Sequence, residues 1–193
     1  VKEVVMVTPS KGGAINPVIL AALEGALTNV VEDCVNRVGV DLNTASPSLL
    51  SYIAGINMGI AKNIVAYREE NGKFTDRKQL MKVPKLGEKA FNQCAGFLRI
   101  TDGDNPLDAT SVHPESYEAA RVMMDKLEVD PASIRKGGDK TIEEKIKKTY
   151  KAKSFSQSMA QMAEDLGVGQ LTLTDIVEEM KKPARDPRED APP

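Results

Sequence analysis

An eleven-residue pattern occurs twice in this chain at an offset of 30 residues. Leu50-Ser51-Tyr52-Ile53-Ala54-Gly55-Ile56-Asn57-Met58-Gly59-Ile60 aligns on Leu80-Met81-Lys82-Val83-Pro84-Lys85-Leu86-Gly87-Glu88-Lys89-Ala90, and Ile64 falls over Cys94. Each copy reads as a short helix, a tight turn and a second helix. Between the copies, Asn71-Gly72 supplies a turn, Phe74 an apolar anchor, and Thr75 or Asp76 a cap for the helix leading into the second copy. The repeat therefore predicts two helical hairpins in tandem over residues 41–100.

The rest of the chain agrees with a helical fold. Of the 193 residues 41% are hydrophobic, but only four are Phe, four Tyr and none Trp. Leu, Ile, Val, Met and Ala recur at helical spacing, so the fold class expected is all-α. Residues 1–22 remain unassigned, with a β-branched run and then Ser10-Lys11-Gly12-Gly13 reading as an extended segment and a loop. Leu23, Leu27, Val30, Val31, Cys34, Val35 and Val38 mark a connecting amphipathic helix over 23–40, which Gly39 ends. Ser46-Pro47 starts the next helix. A small helical domain is expected over 101–182, with helices opening at Pro114-Glu115 and Asp130-Pro131 and further patterns over 155–166 and 174–180. The charged tract from Lys136 to Lys153 reads as a solvated helix or a loop, and residues 183–193 as a linker or tail.

Several function classes lose support at once. The longest apolar runs, such as Val18 to Leu23, fall far short of the roughly 20 residues that cross a bilayer. The N-terminus lacks the pattern of a secretory signal. Cys34 and Cys94 stand apart in apolar helical patterns, as buried reduced thiols would. A cytoplasmic location is expected, with no membrane partner. Gly12-Gly13 beside Lys11 does not have the spacing of a phosphate-binding loop. His113, the only histidine, has no nucleophile and third member around it, and reads as part of a helix start. Asp102, Asp104 and Asn105 lack the later ligands of a calcium loop. Glu88 and Lys89 are not placed as a hairpin glycosylase would place its catalytic residue, and Glu143-Glu144 and Glu178-Glu179 read as solvated faces. No catalysis, metal or cofactor is expected.

Net charge is −2, which does not announce a binder of polyanions. Its distribution does more: residues 41–100 hold nine basic against five acidic residues, a local +4 that leaves −6 elsewhere.

An apolar-Gly-apolar-Gly turn between helices exposes successive backbone N–H groups that have no partner inside the second helix. With the positive end of the helix dipole behind them they form an anion site, and glycine lets a phosphate come close. Such a contact holds a nucleic-acid backbone without reading bases. Each copy here keeps one glycine. In the first, Gly55 is present and Asn57 takes the second position, where it is expected to imitate glycine in a left-handed conformation. In the second, Lys85 replaces the first glycine and Gly87 is present. The expected contact residues are Gly55, Ile56, Asn57, Gly59, Lys85, Leu86 and Gly87, with Lys62, Lys82 and Lys89 adding charge-assisted contacts. The partner expected is the backbone of DNA or RNA. A second reading stays open: the hairpins are a packing unit whose apolar residues simply form a core, with a scaffold or docking role.

Longer stretches carry a resemblance. Val40-Asp41-Leu42-Asn43-Thr44-Ala45-Ser46, the first hairpin, Tyr67-Arg68-Glu69-Glu70-Asn71-Gly72-Lys73-Phe74 and the second hairpin resemble the tandem module of the competence DNA-receptor type. Val31 to Gly39, Gln93 to Ile100, Asn105 to Asp108, His113 to Tyr117, Asp175 to Glu179, Lys182-Pro183 and Arg185 to Arg188 extend the match to the Tex family of bacterial transcription accessory proteins. The resemblance covers roughly Leu23 to Arg188; residues 1–22 and about 134–158 depart from it. It implies a factor linked to transcription that binds nucleic acid without sequence preference, and for the second reading a scaffold that orients flanking domains and docks RNA polymerase or another transcription factor. It also implies an internal part of a multidomain protein, between a ribonuclease-H-like YqgF domain and an S1 RNA-binding domain, and weak binding without the latter.

Overall fold

The computed structural model describes residues 17–183, and several helices begin behind a side-chain N-cap, at Ser46, Asn57, Asp130 and Ser154. Helix α1 (Pro17–Val38) starts at Pro17 rather than Leu23, proline being pre-set for a first helical position. It ends at Gly39, whose φ of +76° suits a residue without Cβ and whose N–H bonds the Val35 carbonyl at 2.9 Å. The expected extended run and loop before Pro17, and residues 184–193 of the expected tail, lie outside the described residues.

Residues 40–100 close on themselves. Strand β1 (Val40–Asp41) pairs in parallel with β2 (Leu98–Arg99), joining the two ends of the tandem. Between them come α2 (Pro47–Leu50), α3 (Met58–Asn71), a 3-10 turn at Arg77–Lys82 and α4 (Glu88–Cys94). Ser46 Oγ caps α2 through the Leu49 N–H, and Asp76 caps the 3-10 turn in a reciprocal box with Gln79. Side chains of one apolar face meet in a single core that includes Leu42, Leu50, Ile53, Ile64, Phe74, Leu80, Val83 and Leu98.

Two sequence stretches far apart meet here for specific reasons. The Asn43 amide accepts from the Phe74 N–H at 2.7 Å and donates to the Phe74 carbonyl at 2.9 Å. Phe74 stacks on Tyr67 with ring centroids 5.1 Å apart. Arg68 donates to the Leu42 carbonyl at 3.0 Å. The segment entering the first hairpin is thereby fastened to the link between hairpins.

Beyond β2, 3-10 turns at Pro106–Ala109 and Pro114–Ser116 lead into α5 (Tyr117–Leu127), α6 (Pro131–Arg135), α7 (Ile142–Tyr150), α8 (Phe155–Leu166) and α9 (Gln170–Lys181). These helices share a second core around Met123, Leu127, Ile142, Ile146, Met162, Leu173 and Met180. The tract from Lys136 to Lys153 corrects one expectation. Ile142 and Ile146, one turn apart, are fully buried, so α7 packs as an amphipathic helix although most of its residues are charged.

Arg77 bolts the two cores together. It is fully buried, and its guanidinium donates to the carbonyls of Leu98 (2.8 Å), Val112 (2.7 Å) and Thr110, and to the Tyr117 hydroxyl (2.8 Å). Its backbone N–H reaches Asp108 Oδ2 at 3.1 Å, and the Tyr117 hydroxyl donates to Asp108 Oδ1.

Helix α1 stands apart from both cores over much of its length. Every residue from Leu20 to Val30 is exposed, and only the last turns touch the tandem, where the Asn36 amide meets the Tyr52 carbonyl and the Ala54 N–H. Cys34, expected to be buried, is therefore exposed, whereas Cys94 is buried and burial pushes its thiol up to about 12. Among the described residues no helix is long and apolar enough to cross a membrane.

Candidate nucleic-acid interface

The two turns share one geometry, bond for bond. Ile53 and Val83 donate to the carbonyls of Leu50 and Leu80, Ile56 and Leu86 to those of Ile53 and Val83, and Ala61 and Phe91 to those of Asn57 and Gly87. The left-handed position is the same in both: Gly55 has φ +83° and Lys85 φ +68°. So is the residue opening the second helix, Asn57 at (−87°, 170°) and Gly87 at (−84°, 175°).

This geometry revises the role expected of Asn57. It sits in extended backbone, not in a left-handed conformation, and serves as the N-cap of α3, its Oδ1 accepting the Ile60 N–H at 2.9 Å. One of the N–H groups at the first turn is thus occupied, leaving those of Met58 and Gly59 without a capping side chain. At the second turn Gly87 makes no side-chain cap, so the N–H groups of Glu88, Lys89 and Ala90 are all uncapped. The position that needs a left-handed residue is filled by Lys85, a strained choice for a side chain but one that keeps the turn intact.

The expected site residues divide into two sets. Asn57, Gly59, Lys62, Lys82, Lys85, Gly87 and Lys89 are exposed and Gly55 is half-buried. Ile56 and Leu86 are buried, with their N–H groups used inside the turn, so they anchor each hairpin to the core instead of facing outward. Among the described residues no carboxylate forms an ion pair with Lys62, Lys82, Lys85 or Lys89. Two of the nine basic residues counted in the local +4 are, however, buried: Arg77 in the bolt, and Arg99, whose guanidinium burial drives below its ordinary pKa. Glu88, in the first turn of α4, adds a negative charge beside the more open of the two turns.

A third turn with the same glycine spacing lies outside the 30-residue repeat, although its Val168 N–H reaches back to the Ala163 carbonyl at 3.0 Å where Ile56 and Leu86 bond three residues back. Leu166-Gly167-Val168-Gly169 joins α8 to α9 and spells apolar-Gly-apolar-Gly in full. Gly167 is left-handed at φ +67°, Gly169 is extended at (−66°, 149°) without a side-chain cap, and the Leu173 N–H bonds the Gly169 carbonyl at 2.9 Å. Its literal motif was the signal in the sequence, but no copy stands 30 residues away. Its surroundings differ in charge, with Glu164 and Asp165 just before it and Asp165 paired to Lys126.

His113 serves as a cap. Its Nδ1 accepts the Glu115 N–H at 3.3 Å while Nε2 lies 3.0 Å from the Asn92 carbonyl. Asn105 likewise caps the turn at Pro106 through the Leu107 N–H. Among the described residues no three His, Cys, Asp or Glu gather as metal ligands.

Comparison with known proteins agrees with these turns. A family described as "Helix-hairpin-helix motif" matches residues 35–99, and one described as "HHH domain" matches residues 105–188. The region read from sequence only as a small helical domain is thus a helix-hairpin-helix family in its own right. The chain is 48% identical over 166 residues to the transcriptional accessory protein Tex of Neisseria gonorrhoeae, covering 86% of this chain and 20% of that protein. It is 48% identical over 162 residues to protein YhgF of Escherichia coli, covering 84% of this chain and 19% of the relative. Against the human S1 RNA-binding domain-containing protein 1 it is 32% identical over 209 residues, covering 83% and 20%. The chain spans about a fifth of the length of these relatives. With two helix-hairpin-helix matches along its length and this identity to Tex, the chain belongs to the Tex family.

Proposed function

We propose that this chain holds the sugar-phosphate backbone of nucleic acid, without reading sequence and without catalysing a reaction, as one part of a transcription accessory factor. The observation that carries the reading is the identity of the two turns. Each has lost a different glycine, yet both keep the same backbone angles and hydrogen bonds, with uncapped N–H groups at the start of the second helix. Lys62, Lys82, Lys85 and Lys89, exposed close by in sequence, supply the positive charge that draws a phosphate in. The names of the relatives, a transcriptional accessory protein and an S1 RNA-binding domain-containing protein, point the same way.

Fluorescence anisotropy with labelled single- and double-stranded DNA and RNA of two unrelated sequences tests this. Affinity is expected to be similar across sequences and to fall linearly on logarithmic axes as salt rises, with no cleavage of the labelled strand. Lys85→Glu and Asn57→Leu are expected to weaken it several-fold. Absence of binding even at low ionic strength would remove the proposal.

One observation favours a second reading, a scaffold that also docks RNA polymerase or another transcription factor. Leu20, Leu23, Leu27 and Val30 form an exposed apolar stripe on α1, away from the hairpins. Binding to polymerase that survives Lys85→Glu but is lost in Leu27→Glu would establish it.

A further inference from the structure

The two hairpins meet at two places, each a turn of one copy against the second helix of the other. Asn63, on α3 of the first copy, donates from Nδ2 to the carbonyl of Pro84 in the second turn at 2.8 Å. From the other side, Gly55 in the first turn lies against α4 of the second copy. A Cβ placed there would sit 2.8 Å from Gln93 Cβ, 2.9 Å from Gln93 Oε1 and 3.2 Å from the Ala90 carbonyl oxygen. The 30-residue offset maps Asn63 on Gln93, whereas the turn residues they touch, Pro84 and Gly55, differ by one repeat position. Each turn is therefore seated on the second helix of the other copy, the second turn by the Asn63 hydrogen bond and the first by close packing of Gly55 against Gln93.

Neither amide is required by the core. Asn63 is half-buried and Gln93 exposed, while the apolar side chains of the tandem close the core without them. What the contacts fix is the position of one turn relative to the other. A phosphate backbone that engages both turns gains from the second contact only if the two are held at a matching separation, because a linked site acts through its effective concentration. Ordering the turns before binding also removes that cost from the binding step.

We propose that Asn63 and Gln93 are positioning residues that lock the two turns into a single preorganised two-point clamp for a phosphate backbone. The inference rests on the backbone-binding function proposed above. The test compares the full chain with Asn63→Ala, Gln93→Ala and the double variant, by anisotropy on a labelled DNA duplex at several potassium chloride concentrations and by thermal unfolding. The double variant is expected to bind roughly tenfold more weakly, with the slope of log K against log salt shallower by about 1 to 2 because one turn's phosphate contacts are lost. Its unfolding temperature is expected to stay near that of the unaltered chain. A merely structural role would change stability and leave the salt slope where it was.

A second measurement does not depend on binding. Spin labels at Met58→Cys and Glu88→Cys, in a Cys34→Ser background, report the distance between the starts of α3 and α4. The distribution is expected to be narrow in the otherwise unaltered chain and broad in the Asn63→Ala/Gln93→Ala variant. An equally narrow distribution together with an unchanged salt slope would overturn the clamp while leaving backbone binding in place. Failure of the unaltered chain to bind at any salt would overturn the backbone-binding reading, and the clamp's purpose with it.

Discussion

Arg77 shows how much can rest on one side chain. Its charge is surrounded by carbonyl acceptors, the Tyr117 hydroxyl and Asp108, all on segments beyond the second hairpin or in β2. Removing one member of such a network leaves buried polar groups without partners. Arg77→Ala is therefore expected to cost about 3–5 kcal/mol in urea unfolding, a loss borne by both cores at once. In the sequence this arginine looked like one more positive charge of the hairpin module, since charge is legible in a sequence and burial of an arginine is not. The two cysteines make the same point. Both lie in apolar helical patterns, yet Cys94 is in the core, its thiol raised to about 12 by burial, and Cys34 faces solvent. A thiol-reactive reagent at pH 8 is expected to modify one cysteine quickly in the folded chain and the second only on unfolding. Two fast thiols would contradict the placement of Cys94.

At the scale of elements, the hairpins were legible because two copies at one offset carry the same apolar spacing. The torsion angles inside each turn were not. A glycine in such a motif suggests a left-handed residue at either position, but only the first position, held by Gly55 and Lys85, is left-handed. The second is an N-cap, which explains why Asn57 is accepted there. Asn57→Ala should accordingly cost about 1 kcal/mol of stability through the lost cap, measurable by thermal unfolding. Glu88 adds a prediction specific to the second turn. Glu88→Gln removes a negative charge beside the uncapped N–H groups of α4 and is expected to tighten nucleic-acid binding several-fold at low salt, with less effect at high salt. The turn at residues 166–169 and helix α7 were harder to see. The former has no repeat partner, and the latter depends on two isoleucines, Ile142 and Ile146, among charged residues.

On the scale of the whole molecule, the two cores differ in how they are held at the surface. Ion pairs on the second include Lys145 with Asp139 at 2.7 Å, Lys181 with Glu143 at 2.6 Å, and Lys126 with Asp165. For Asp139 partial burial pushes the carboxyl up but is outweighed by hydrogen bonds from Lys145 and Thr141. Lys181 lowers Glu143 directly, and Lys126 and Tyr150 lower Asp165. Carboxylates with lowered folded values stabilise the fold above the ordinary carboxylate range, and that contribution is lost as pH falls through the lowered values. The unfolding temperature is thus expected to drop on acidification below about pH 4, and Asp139→Asn should flatten that drop. The all-helical class and the tandem were readable from periodicity and repeat. The bolt between cores and the solvent-facing stretch of α1 were not, because both depend on which segments meet in space. The claim that the tandem turns hold a nucleic-acid backbone is tested most directly by amide chemical shifts of the isotope-labelled chain during titration with a short DNA duplex. The largest changes are expected at the N–H groups of Met58, Gly59, Glu88, Lys89 and Ala90, and they should fade as salt rises. Changes confined to α1 or to α9, with the two turns unmoved, would contradict it.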